Sequence, residues 1–128
     1  MRHPGSAACG RCARLGTCRC RGTSEFFRHF IGGSQHYLPQ ALPLIAPYVN
    51  SYRRFLDEES SAPRNFAWGY DNRATGLRVP NAQSDNRRLE NRVVGVDANP
   101  YLAMAVGLTC GYLGMVNAIE PAPPGRLR

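Results

Sequence analysis

WGYDNRATGLRVPNAQSDNRRLENR, residues 68–92, decides how the chain is read. Residues 66–70 and 76–79 each read as a short strand, on either side of a polar turn and ended by Pro80. Residues 88–94 alternate as well. Side chains two apart on a strand share a face, so Arg88, Glu90 and Arg92 are expected side by side. With Arg73, Arg78 and Arg87 in the same stretch, arginines gather around Glu90. Guanidiniums present paired donors that match carboxylate and phosphate oxygens. A carboxylate between two of them stays ionised and can give one ligand to a hard cation. The chemistry indicated is an anion site with one potential metal ligand. The same spacing also describes a charge-paired outer face of a barrel strand.

Working outward toward the amino terminus, residues 24–47 read as helical. Ser24 can cap, and Phe26, Phe27, Phe30 and Ile31 make an apolar face that Leu38, Leu42 and Ile45 continue to a stop near Pro47. Gly32 and Gly33 weaken the middle of that helix. Residues 50–63 read as a turn-prone connection in which Arg53 and Arg54 precede Asp57, Glu58 and Glu59. Toward the carboxy terminus, Asn99 and Pro100 make a helix start, one as cap and the other at the first position. Leu102, Ala105, Val106, Thr109, Leu113 and Val116 then recur at helical spacing. The run 101–119 carries no charge and holds a G-x-x-x-G pair, Gly107 and Gly111, which raises a membrane span. Its glycines, with Thr109 and Asn117, favour a buried helix packed through small residues instead. Residues 120–128 are proline-rich and read as a tail or linker.

A chain of 128 residues, 43% hydrophobic, supports one domain with a modest core. Its net charge of +7 invites a nucleic-acid reading, but the charge is unevenly placed. Arg2, Arg11, Arg14, Arg19 and Arg21 have no acid among them, whereas eleven arginines face nine carboxylates from Glu25 onward. The body is nearly balanced, so nucleic acid is not the expected partner. No lysine occurs, which either biases every cation toward bidentate contacts or reflects genome composition. Cys9, Cys12, Cys18 and Cys20 form a cramped C-x2-C-x5-C-x-C cluster that four-thiolate zinc binding could use, although the spacing matches no common zinc module. Low periodicity leads us to expect residues 1–23 to be disordered. No apolar segment follows Met1, so reduced cysteines in the cytoplasm are the expectation.

Five segments, FIGGSQHYLPQAL, NSYRR, DNRATGLRVP, RRLENR and DANPYLAMAVGLTCGYLG, follow one another in this order between residues 30 and 114. Together they resemble the carboxy-terminal part of glutamine synthetase, over about residues 26–119. The resemblance implies an α+β fold: a partial catalytic domain at 24–119, short strands of an incomplete barrel packed with helices, preceded by the Cys/Arg-rich head and followed by the tail. It implies an ATP-dependent ligase that joins glutamate to ammonia or an amine through gamma-glutamyl phosphate, with magnesium or manganese, in a large homo-oligomeric ring. Carried over by position, Glu90 resembles a metal ligand. Arg54 and Arg92 resemble the pair that holds glutamate, Arg73 the arginine at the transferring phosphoryl group, and Arg78 and Arg88 those nearest the nucleotide phosphates.

Three departures go with it. Ser61 stands where glutamine-forming members usually carry a proton-accepting glutamate. That replacement, with WGYDNR, looks more like the gamma-glutamylputrescine or polyamine branch. Asp85 and Asn86 occupy a neighbourhood that often holds a lysine. No segment resembles the amino-terminal β-grasp domain, the nucleotide-binding segment or the remaining metal-binding glutamates, so the 128 residues alone are expected to be inactive. The alternative reading is a small zinc- or nucleic-acid-binding module acting through the head.

Overall fold

The computed structural model describes residues 23–56, 63–81 and 86–125. The head with its four cysteines, Ser61, Asp57, Glu58, Glu59 and Asp85 lie outside them. Ser24 caps as expected, its hydroxyl accepting from the Phe27 amide, and helix α1 runs Glu25–Tyr37. Glycines 32 and 33 do not interrupt it. The break comes at Pro39, where residues 37–41 close a turn through the Gln40 and Ala41 amides on the Tyr37 carbonyl. The short helix α2 follows at Leu42–Ile45, and α3 at Val49–Leu56. The expected single helix over 24–47 is thus divided, and residues 50–56 are helical, not a turn-prone connection. Ser51 makes the difference: its hydroxyl accepts from the Tyr48 amide at 3.3 Å and its own amide donates to the Tyr48 carbonyl at 2.9 Å, so the chain after Pro47 nucleates a turn of helix.

Three short strands form one sheet in the order β1 (Trp68–Tyr70), β2 (Leu77–Val79), β3 (Glu90–Asn91). The first two pair in parallel, Gly69 opposite Arg78, and the second and third antiparallel, Arg78 opposite Glu90. A parallel pair usually needs a long crossover. Here residues 71–76 alone run back down the length of the strand. At the top, Asp71 adopts φ 48°, its amide bonds the Val79 carbonyl, and the Asn72 side chain accepts from the Ala74 amide. At the bottom, Asn65 takes the Gly76 and Ala67 amides on its side-chain oxygen and gives its amide to the Ala74 carbonyl. The 66–70 and 76–79 strands are therefore present, slightly shortened. The expected 88–94 strand is reduced to its centre.

Asn99 caps helix α4 (Pro100–Val116), its side-chain oxygen accepting from the Tyr101 and Leu102 amides. This helix lies along α1, and glycines set the approach. A Cβ at Gly33 would run into the Gly114 backbone and the Cys110 carbonyl, and one at Gly111 would enter the Phe30 ring. Gly107, the other half of the expected G-x-x-x-G pair, faces open space. The buried face of α4 accordingly carries Cys110, Gly111 and Gly114, while Leu102, Ala105, Thr109 and Val116 from the expected face are exposed. Ile31, Leu38, Ile45, Trp68, Leu77, Val79, Val93 and Cys110 make the core between helices and sheet.

Residues 119–125 strap the assembly together. Glu120 pairs with Arg28 and His29 of α1, the Trp68 indole donates to the Ala122 carbonyl at 2.6 Å, and the Gly125 amide returns to the Trp68 carbonyl at 2.7 Å. No helix among the described residues is long and apolar enough to cross a membrane.

Candidate anion site

The sheet register builds the site. Alternation along β2 sends Leu77 and Val79 into the core and Arg78 to the other face, where the antiparallel partner presents Glu90. Arg78 Nη1 donates to Glu90 Oε2 at 2.9 Å, and Arg78 Nη2 donates to Asp71 Oδ1 at 2.5 Å. Arg88 Nη2 donates to the other Glu90 oxygen at 3.3 Å. The result is a charged row, Asp71, Arg78, Glu90, Arg88, in which neighbours alternate in sign. The hydrogen bond to Asp71, and after it that to Glu90, raises the Arg78 pKa above its ordinary value against the opposing effect of partial burial. Arg78 is a permanent cation on this face.

Arg73 sits on the turn between β1 and β2. Its guanidinium is exposed and has no hydrogen-bond partner among the described residues, while its carbonyl accepts from Arg92 Nη1. Arg92 therefore reaches across to the 71–76 turn and brings that turn beside β3. Arg73, Arg78, Arg88, Glu90 and Arg92, singled out from the sequence, thus fall on β2, on and beside β3, and on the turn that leads into β2.

Arg54 stands apart from that row. From α3 it donates through Nε to the Ser51 carbonyl at 3.1 Å, through Nη1 to the Val94 carbonyl at 2.9 Å and through Nη2 to the Val93 carbonyl. It also stacks over the Phe55 ring. Burial lowers its pKa, which nearby Asp97 partly offsets. Asp97 itself accepts from Ser51 Oγ at 2.6 Å. Arg54 thus ties α3 to the backbone that leaves β3, two residues past Arg92, and its remaining N–H groups are the ones a ligand could use.

A hard divalent cation needs several oxygen ligands. Glu90 is one carboxylate with both oxygens already held by arginines, and no group of three His, Cys, Asp or Glu side chains that could hold a metal occurs among the described residues. These residues by themselves do not fit a complete magnesium or manganese site. An apolar cavity of about 310 Å³ lies elsewhere, lined by Phe30, Leu38, Leu77, Leu89, Met104 and Leu108 on the core side of the sheet. It has no part in the charged row. Sequence reading passed over Asp71. In the sequence it is only a carboxylate beside Asn72 in a turn, seven residues before an arginine on the next strand, which is also how a solvated turn residue reads.

Comparison with known proteins adds a second kind of observation. Residues 16–126 match the family described as glutamine synthetase, catalytic domain. The chain is 42% identical over 103 residues to a gamma-glutamylethanolamide synthetase of Streptomyces coelicolor, 80% of this chain and 22% of that protein. It is 43% identical over 82 residues to a gamma-glutamylputrescine synthetase of Escherichia coli, 64% of this chain and 17% of that protein. With a type-1 glutamine synthetase of Dictyostelium discoideum the identity is 39% over 97 residues, 76% of this chain and 18% of the other. The chain spans about a fifth of the length of these relatives.

Proposed function

The chain belongs to the glutamine synthetase family, and on that premise we propose that it forms the phosphate- and glutamate-binding wall of an ATP-dependent ligase that joins glutamate to an amine. The observation that carries the proposal is the pairing of Arg78 and Arg88 with Glu90 on one sheet face, with Arg92 reaching the Arg73 carbonyl on the adjoining turn. In the reaction proposed, a gamma-carboxylate oxygen of glutamate attacks the terminal phosphorus of ATP and the bond to ADP breaks. The amine nitrogen then attacks the acyl carbon, phosphate leaves, and the nitrogen loses a proton.

Phosphoryl transfer asks little covalent help of a protein, so cations held around the spreading negative charge supply most of the acceleration. In this reading the exposed Arg73 meets the transferring group, Arg78 and Arg88 meet the nucleotide phosphates, and Arg92 with the free N–H groups of Arg54 holds glutamate. Glu90 bridges Arg78 and Arg88, and as a metal ligand it would need the rest of the set from outside the described residues. Ser61 in place of a glutamate, together with relatives named for ethanolamide and putrescine products, favours an amine over ammonia as acceptor. By itself the 128-residue chain is proposed to be inactive, and as in the family at large a homo-oligomer would complete the site.

The test is Mg-ATP binding by calorimetry with the 128-residue chain. Arg73→Ala and Glu90→Ala are expected to weaken it, whereas Cys12→Ser leaves it unchanged. Binding that is the same in both site variants overturns the assignment. Binding abolished by Cys12→Ser transfers it to the head.

A further inference from the structure

Arg78 is held at both ends of its fork by carboxylates from two different strands, and only one of them, Glu90, was expected in the site. We propose that Asp71 is the positioning residue of Arg78: it holds the guanidinium open across two carboxylates and keeps it from closing on Glu90 alone. The proposal rests on the reading of this face as a phosphate-binding wall.

Four observations carry it. First, Asp71 Oδ1 accepts from Arg78 Nη2 at 2.5 Å while Nη1 is engaged with Glu90 at 2.9 Å, so the guanidinium plane is pinned at two points. Second, Glu90 Oε1 is already taken by Arg88, so Glu90 meets Arg78 through Oε2 alone. A guanidinium freed from Asp71 would gain by turning both Nη groups onto Glu90, the bidentate geometry that carboxylates favour, displacing Arg88. Third, Asp71 occupies φ 48°, a left-handed conformation that costs most residues energy, and of the described non-glycine residues only Ala118 shares it. That conformation turns the side chain from the end of β1 back over β2, while the Asp71 amide on the Val79 carbonyl holds the backbone in place. Fourth, Arg78 Nε is buried with no hydrogen-bond partner, so the hydrogen bonds that orient the fork are those to Asp71 and Glu90. Asp71 does not need to touch a ligand to matter. It sets where Arg78 points, and with it how Arg78 and Arg88 share Glu90.

The experiment has two arms on the 128-residue chain. The first is side-chain nitrogen NMR of Arg78 in the ligand-free protein, its signals identified by their loss in Arg78→Lys. The second is Mg-ATP affinity by calorimetry. Asp71→Asn removes the charge but keeps a residue at ease in the left-handed region, and Asp71→Gly removes the backbone cost as well, so the turn survives in both. We expect wild-type Arg78 to show slowly rotating, resolved Nη protons that merge in Asp71→Asn and Asp71→Gly and are kept in Asp71→Glu. Mg-ATP affinity should fall about tenfold in the first two variants and recover in the third, the scale of a lost charge-assisted hydrogen bond. If Asp71 served only the turn, Asp71→Asn and Asp71→Gly would leave the Arg78 signals unchanged, and that result overturns the proposal. Wild-type protein that binds no Mg-ATP counts against the ligase reading of this chain, and the NMR arm then decides the role of Asp71 by itself.

Discussion

Cys110 is the buried free thiol of the described residues, and its surroundings fix its chemistry. Burial pushes its pKa up, since the thiolate would lose its hydration inside the helix contact. A thiol whose folded pKa lies above its unfolded value keeps its proton longer in the folded chain. The stability tied to it is fully present below the unfolded value of about 8.5 and is lost as the pH rises through the folded value. Urea midpoints are therefore expected to hold steady between about pH 6 and 8 and to decline above that. The decline should be shallower in Cys110→Ala, and equal slopes in the two proteins would show that Cys110 is not the group responsible. Arg78 and Arg54 behave differently: their pKa values move in opposite directions, yet both remain cations across this range, so neither contributes to the slope.

At the scale of the element, the crossing of α1 and α4 turns on which glycine sits in the contact. Gly33 and Gly114 lie backbone to backbone, so Gly33→Ala or Gly114→Ala must force the helices apart, and a cost of about 1 to 3 kcal/mol is expected. Gly107 has nothing within 4 Å of where a Cβ would stand. Gly107→Ala should then add stability, about 0.5 to 1 kcal/mol, because alanine is the better residue inside a helix. Denaturant titration of the variants measures both signs. The 119–125 strap makes a third expectation. Ending the chain at Ile119 removes the Ala122 carbonyl that the Trp68 indole uses. A loss of about 1 to 3 kcal/mol follows from leaving a buried donor unpaired, with a shift in Trp68 fluorescence to report it.

At the scale of the whole molecule, α4 is apolar on both sides. Its inner side packs on α1. Its outer side leaves Leu108 66% exposed, with Met104, Tyr112 and Val116 in a similar state. A contiguous apolar stripe of this kind is rare on a protein that stays alone in solution. The isolated chain is expected to self-associate as its concentration rises, seen by sedimentation velocity. Leu108→Lys with Tyr112→Lys should reduce that association while leaving the helix content in place.

Much of this protein is determined by its sequence without reference to tertiary structure. Local backbone rules sufficed for the caps at Ser24 and Asn99, because each depends on groups a few residues apart, whereas the helix expected to run on to Pro47 stops before Pro39. Period-two alternation sufficed to place Arg78 and Glu90 on strands, and the order of the polar segments was enough to indicate the family. Tertiary structure alone decided three things. It decided which face of α4 is buried, since a charge-free helix has no polar side to point outward and only the fit of glycine against glycine chooses. It decided that β1 and β2 run parallel through a six-residue return, because the Asn65 and Asp71 contacts that hold it join residues seven to eleven apart, beyond the span of a single turn. It also decided that Asp71 belongs to the arginine row. A carboxylate in a turn looks like any solvated turn residue until the strands bring the Arg78 fork within 2.5 Å of it.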